Sequence, residues 1–196
     1  MRPPCPPVSL AFILRIWAAC AVCAAALVGC SSPRSALAIP PLPAWPTAAQ
    51  PEKIPAYRVA VESRLAFPGA HVSHADNTYT LVPHSWLVEY LEWTTRVAWL
   101  AGMTYTAESW DCDDFARGFD LMAGRAAAKA GVVAAPLIAR VMVEDPKLGL
   151  HELNGVVTDR GRYIVEPQPG AAVRLIPLAD YRGKIRGILW GDFNPF

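Results

Sequence analysis

Thirteen residues from Ile16 to Val28 form an unbroken apolar run behind Arg2 and Arg15, and the run stops at Leu27-Val28-Gly29-Cys30. A basic start, a short apolar stretch and a small residue before cysteine describe an export signal with a lipid-attachment site. The run falls short of the roughly 20 apolar residues that a membrane-spanning helix requires. Residues 1–29 are therefore expected to be a lipoprotein signal peptide, with Cys30 as the acylated first residue of the mature chain. Ser31 is not the Asp that retains such a chain at the inner membrane, so the expected location is the bacterial cell envelope. There a lipid would hold the chain to the outer membrane, facing the periplasm. Cleavage after Ala36-Leu37-Ala38 is the alternative, and it gives a periplasmic or secreted protein.

Processing at Cys30 removes Cys5, Cys20 and Cys23 and leaves Cys112 alone in the body of the chain. No intrachain disulfide can then form, and a lone thiol in an oxidising compartment requires a reason. The formal net charge is +1, with no basic tract, which gives no electrostatic case for nucleic acid as a partner.

Seven prolines fall between Ser31 and Pro55, among alanines and serines. Proline lacks the N–H that helices and ladders need, so residues 30–55 read as a semi-rigid tether. Residues 56–196 are the right length for one domain. Tyr57, Val59 and Val61 alternate as in a short strand, and Phe67 to Pro83 is broken by Pro, Gly, Asp and Asn into loops. His71, His74 and Asp76 in that stretch read as solvated residues rather than metal ligands. From Ser85 to Ala101, Leu87, Tyr90, Leu91, Thr94, Val97 and Ala98 recur at helical spacing, and Trp86, Trp93 and Trp99 read as core and rim residues. A second helix is expected from Cys112 to Ala130, with Phe115, Ala116, Phe119, Ala123, Ala126 and Ala127 on its buried stripe and Gly131 as its stop. Leu137 to Val143, His151 to Thr158, Arg162 to Glu166 and Ile185 to Trp190 read as short strands between turns. Helices followed by an antiparallel meander describe an α+β domain.

Cys112 lies in Trp110-Asp111-Cys112-Asp113-Asp114-Phe115, where loop becomes helix. Unpaired first-turn amides and the helix dipole favour a thiolate there, and the same amides can hold an oxyanion. Asp113 and Asp114 oppose a further negative charge, so activation requires a histidine. The same cysteine also reads as a small core residue in line with Phe115 and Phe119. His151 opens one strand and Glu166 ends the next, giving nucleophile, base and orienting acid in an order that a cysteine hydrolase can use. With Thr158 to Gly161 as a hairpin loop, Val157 pairs with Arg162, Leu153 with Glu166 and His151 with Gln168. Glu166 then becomes the diagonal neighbour of His151, at roughly 7–8 Å between backbones. Asn154 falls on the opposite face and is given a supporting role only; Gln168, on the face of His151, is a second supporting residue.

Asp-Cys-Asp-Asp-Phe-Ala at 111–116, His-x-x-Asn at 151–154 and Glu-Pro-Gln at 166–168 together resemble the papain-like protease domain of a mushroom agglutinin and of related bacterial and phage proteins. More broadly they are similar to the papain and transglutaminase-like superfamily. The resemblance covers about Tyr79 to Trp190. It implies helices packed on a β-meander, with Cys112 as nucleophile, His151 as general base and Glu166 as the group that orients His151. It also implies calcium, for which Asp113 and Asp114 are the candidate ligands, although nothing else in the sequence requires a cofactor. Carboxylates paired with Arg117 on the helix surface are the plainer reading of those two residues. The sequence departs from the family pattern in that no attached lectin domain is expected and in carrying Glu152-Leu153 between His151 and Asn154. The expected activity is hydrolysis of a peptide, or of a cell-wall peptide, through a thioester. The alternatives are a hydrolase resembling the NlpC/P60 group, a transglutaminase-type acyl transferase, and a lipoprotein binding module with a degenerate site.

Overall fold

A computed structural model describes residues 39–47, 52–100, 111–146, 149–171, 174–181 and 183–190. The signal peptide, Cys30 and the alternative cleavage site at Ala36 to Ala38 lie outside the described residues. Among the described residues no helix is long and apolar enough to cross a membrane. The account that follows concerns the compact unit from Ile39 onward.

The Pro-rich stretch expected to be a tether is built into the domain at two places. Trp45 is 3% exposed, with its ring centroid 4.5 Å from that of Trp86. The indole N–H of Trp86 donates to Pro43 O at 3.3 Å, and that of Trp93 donates to Pro40 O at 2.9 Å. Prolines cannot donate to a ladder, but their carbonyls accept well, and one buried and one half-buried indole supply the donors. Ile39 to Trp45 is thus a strap. Further along, Lys53–Pro55 forms β1 and pairs with β3, Thr78–Thr80.

Helix α1, Ala56–Ala66, stands where alternation suggested a strand. Its buried residues Ala56, Val59, Ala60 and Ser63 recur at helical spacing, while Tyr57 and Val61 are exposed. Alanine and serine complete a stripe that the larger residues alone disguise as period two. The segment expected to be loops contains β2, His71–His74, as well as β3. His71 and His74 are both exposed, and burial raises the pKa of the Asp76 carboxyl. Helices α2, His84–Leu100, and α3, Cys112–Lys129, lie where periodicity placed them, and Gly131 follows at φ 78°. Trp86 is buried and Trp93 packs against the same core, as expected of core and rim residues.

The remaining strands are β4 (Ala135–Pro136), β5 (Ile138–Asp145), β6 (Gly149–Thr158), β7 (Gly161–Val165), β8 (Leu175–Pro177) and β9 (Lys184–Trp190). They form a three-stranded sheet ordered β1-β3-β4 and a six-stranded sheet ordered β2-β9-β5-β6-β7-β8. The antiparallel meander holds from β5 to β8. β9 then returns to the other side of β5, and β2 pairs with β9 in parallel. The fold is α+β with a mixed sheet rather than a pure meander.

The β6–β7 hairpin has the expected register, with Val157 opposite Arg162 and the ladder running from Thr158–Gly161 to Asn154–Val165. Alternation along β6 serves two cores. Val156 packs with Trp86, Tyr90 and Phe119 of α2 and α3, whereas Leu153 packs with Val59 of α1 and Ile188 of β9. His151 has the parity of Leu153, and Asn154 that of Val156.

Candidate active site

The β6–β7 ladder ends at Asn154–Val165, so the expected pairs Leu153–Glu166 and His151–Gln168 are not part of it. Here His151 Nε2 meets Glu166 Oε2 at 2.7 Å, in a pair whose side chains are 10% and 13% exposed. The diagonal relation read from the register is closed by the two side chains, as their lengths allow. The Glu166 hydrogen bond raises the His151 pKa most strongly, burial opposes it, and the charges of Glu166, Asp145 and Glu152 add to the rise. With Nε2 engaged by the carboxylate, Nδ1 is the nitrogen left for another partner. Gln168 contributes through its backbone, whose N–H donates to Glu166 Oε1 at 2.9 Å. Both carboxylate oxygens are thereby held.

Cys112 is the first residue of α3 and is half-buried. Burial raises its pKa, the Glu152 amide N–H lowers it, and the charges of Asp111 and Asp113 raise it again. That amide can face the sulfur because the β7 ladder stops short of Glu152. The helix start therefore does not activate the thiol by itself, since burial and flanking carboxylates win. The sulfur lies beside the residue adjoining His151, and among the described residues no hydrogen bond joins the thiol to the imidazole. His151 and Glu166 are brought together, and Cys112 is placed against the backbone of Glu152, the residue after His151.

Asn154 faces away from this pair, as its parity requires. It is fully buried, and its Nδ2 donates to Ala116 O of α3 at 3.0 Å and to Ala139 O of β5 at 3.4 Å. Its role is to tie the Cys112 helix to the sheet, so it acts on the position of the thiol and not on the histidine. Glu152 brings a second carboxylate near the site, and Arg140 Nη1 donates to its Oε1 at 3.2 Å. The extra charge in His-Glu-Leu-Asn is matched by that cation.

Asp111, Asp113 and Asp114 present carboxylate oxygens within 4.8 Å of one another. Asp111 has its pKa raised, first by a hydrogen bond with Asp113 and then by burial and the charges of its two neighbours. Three clustered carboxylates form an oxygen donor set suited to a hard cation, so these residues fit calcium. No ion pair between them and Arg117 is present among the described residues.

Arg174 was invisible to sequence reasoning because it lies in a Pro-Gly-Ala loop with no motif around it. It is half-buried, and its Nε donates to Glu166 O at 3.0 Å. Its Nη1 and Nη2 donate to Leu91 O and Pro167 O, each at 2.8 Å. Thr94 Oγ1 at 3.2 Å and Thr95 Oγ1 complete the set of acceptors. The one available signal was an arginine inside the apolar run Ala171 to Leu178. A cavity of about 260 Å³ lies elsewhere, between α1 and the sheet, lined by Val59, Ile164, Ile188 and Trp190 with Arg58 and Arg162. Cys112 and His151 do not line it.

No protein-family model matches the chain, and no curated protein matches it. Among the similar solved structures is one described as the PSL1a-E64 complex, 20% identical with a TM-score of 0.52, covering 71% of this chain and 50% of that one. Another is Polyporus squamosus lectin bound to the human-type influenza-binding epitope Neu5Aca2-6Galb1-4GlcNAc, 19% identical with the same TM-score and coverage. The chain thus spans about half the length of these neighbours and shares the agglutinin-type fold with them. At this identity the likeness is one of fold alone.

Proposed function

We propose that the chain is a papain-like cysteine hydrolase of peptides, held at the cell envelope through a lipid on Cys30. The observation that carries this reading is the buried His151–Glu166 pair at 2.7 Å, beside a lone cysteine at a helix start. In the reaction His151 Nδ1 takes the thiol proton while Cys112 Sγ attacks the carbonyl carbon, and Glu166 stabilises the imidazolium that forms. First-turn amides of α3 face the developing oxyanion. The imidazolium then gives its proton to the departing amine, the C–N bond breaks and a thioester remains. Water, deprotonated by the same imidazole, releases the acid. The reading requires the thiol–imidazole hydrogen bond to form when substrate binds, as catalytic hydrogen bonds commonly tighten only then. Asp111, Asp113 and Asp114 would hold calcium, which supplies positive charge against the carboxylates that disfavour the thiolate.

A second reading is favoured by the raised Cys112 pKa and the unmade thiol–imidazole bond: a binding module that kept the fold without the chemistry. The neighbour bound to a sialylated epitope is compatible with a carbohydrate as its ligand. Labelling by iodoacetamide and by an E64-type epoxide, with and without calcium, separates the two. The hydrolase reading expects labelling confined to Cys112, slowed in His151→Ala, and peptide hydrolysis abolished in a folded Cys112→Ala chain. A fully active Cys112→Ala chain, or labelling indifferent to His151, would overturn it. In the same assay, stem-peptide release from peptidoglycan would assign a cell-wall substrate, and incorporation of an added amine would assign acyl transfer.

A further inference from the structure

We propose that Arg174 is the positioning residue that fixes Glu166 toward His151, clamping the exit of β7 to the middle of α2. The inference rests on the reading of His151 and Glu166 as base and orienting acid.

The need for a clamp follows from topology. Glu166 is the first residue beyond the β7 ladder, and Pro167 after it has no N–H to donate. Two hydrogen bonds link this segment back to the Arg174 position: Glu166 N–H to Arg174 O at 2.9 Å, and Arg174 Nε to Glu166 O at 3.0 Å. The rest of the guanidinium spans the gap to α2, reaching Leu91 O and the hydroxyls of Thr94 and Thr95, while also holding Pro167 O. The planar fork serves carbonyls from two separate elements at fixed angles, which a lysine ammonium cannot do. Thr94 and Thr95 also donate to Leu91 O, each at 2.9 Å, so the acceptors on α2 are themselves ordered. Arg174 bonds the backbone of Glu166 and leaves its carboxylate to Gln168 N–H and His151. It therefore sets where the carboxylate begins without competing for it.

The test reads the His151 imidazole directly, by NMR titration of the full chain. The charged and titratable groups around His151 are Glu166 beyond β7, Asp145 on β5 and Glu152 on β6, with Tyr181 near Asp145 and Glu166. Glu166→Gln sets the scale by removing the partner. Arg174→Lys, which keeps the charge and loses the fork, is expected to lower the His151 titration point by at least half as much as Glu166→Gln does. The rate of Cys112 alkylation is expected to fall about tenfold to a hundredfold, the usual cost of a displacement of about 1 Å. A folded Arg174→Lys chain with an unmoved His151 overturns the proposal. If Arg174→Lys does not fold, the Thr94→Ala, Thr95→Val double variant removes two of the three acceptors on α2 and leaves Leu91 O; a smaller downward shift of the His151 titration is then expected, and no shift overturns the proposal. Failure of the hydrolase reading is distinct, since it appears as an unreactive Cys112 whatever the His151 titration does.

Discussion

Replacing Trp45 by alanine tests whether the Pro-rich strap belongs to the fold. A tryptophan side chain buries about 150–250 Å², and at about 25 cal/mol per Å² its burial is worth about 4–6 kcal/mol. Ordering residues 39–47 costs about 1–2 kcal/mol each in backbone entropy. The strap therefore stays down only because Trp45, Leu42 and the indole hydrogen bonds of Trp86 and Trp93 act together. Removing the indole should release it, with a loss of about 3–5 kcal/mol, the range for large aromatic truncations in cores. Urea unfolding followed by far-UV circular dichroism gives the measurement. With a urea dependence of about 2 kcal/mol per molar, the midpoint should fall by about 1.5–2.5 M. Ile39→Ala, in the same strap but at a residue 62% exposed, should stay within about 0.5 kcal/mol. A loss below about 1 kcal/mol for Trp45→Ala at unchanged urea dependence would refute the reasoning, because the strap would then contribute nothing that its release forfeits.

Two further outcomes concern the sheet. Glu166 holds the His151 pKa above 6.5, so stability from the pair is complete below about pH 6.5 and is lost as pH rises through the folded value. Urea unfolding between pH 6 and 9 should show this decline, at no more than about 1.4 kcal/mol per pH unit for one proton, and Glu166→Gln should flatten it; an equal decline in both proteins would show that the pair does not cause it. Gly155→Ala should lower the melting temperature, because the added Cβ would stand 2.9 Å from Val141 Cγ2 in the core. Overpacking of that kind costs about 1–3 kcal/mol, or about 2–12 °C by differential scanning calorimetry for a chain of this size, and an unchanged melting temperature would contradict the close contact.

The parts of the fold that could be read from the sequence are those whose signal is long and local. α2 and α3 repeat their buried stripes over more than three turns, and the β6–β7 hairpin carries its register in its own turn. α1 was misread because its buried face is made largely of alanine and serine, so the larger side chains left a false alternation. β2 and β3 escaped because their partners are remote: β2 is paired to β9, more than a hundred residues away. At the candidate site, the Glu166 contact followed from the register, since one parity fixes which side chains share a face. The state of Cys112 did not, because it depends on where the β7 ladder stops and which amide is thereby exposed to the sulfur. Arg174 was the hardest to foresee, as all its acceptors are main-chain carbonyls and threonine hydroxyls brought in from other elements.

The strap also sets a length scale. Ile39 is only nine positions after Cys30, and an extended chain advances at most about 3.3–3.6 Å per residue. If Cys30 carries the lipid, the leash from bilayer to domain is at most about 30 Å, where an unattached stretch from Cys30 to Pro55 would allow about 85 Å. The domain would then patrol a thin layer next to the lipid headgroups, and substrates further into the periplasm would have to come to it.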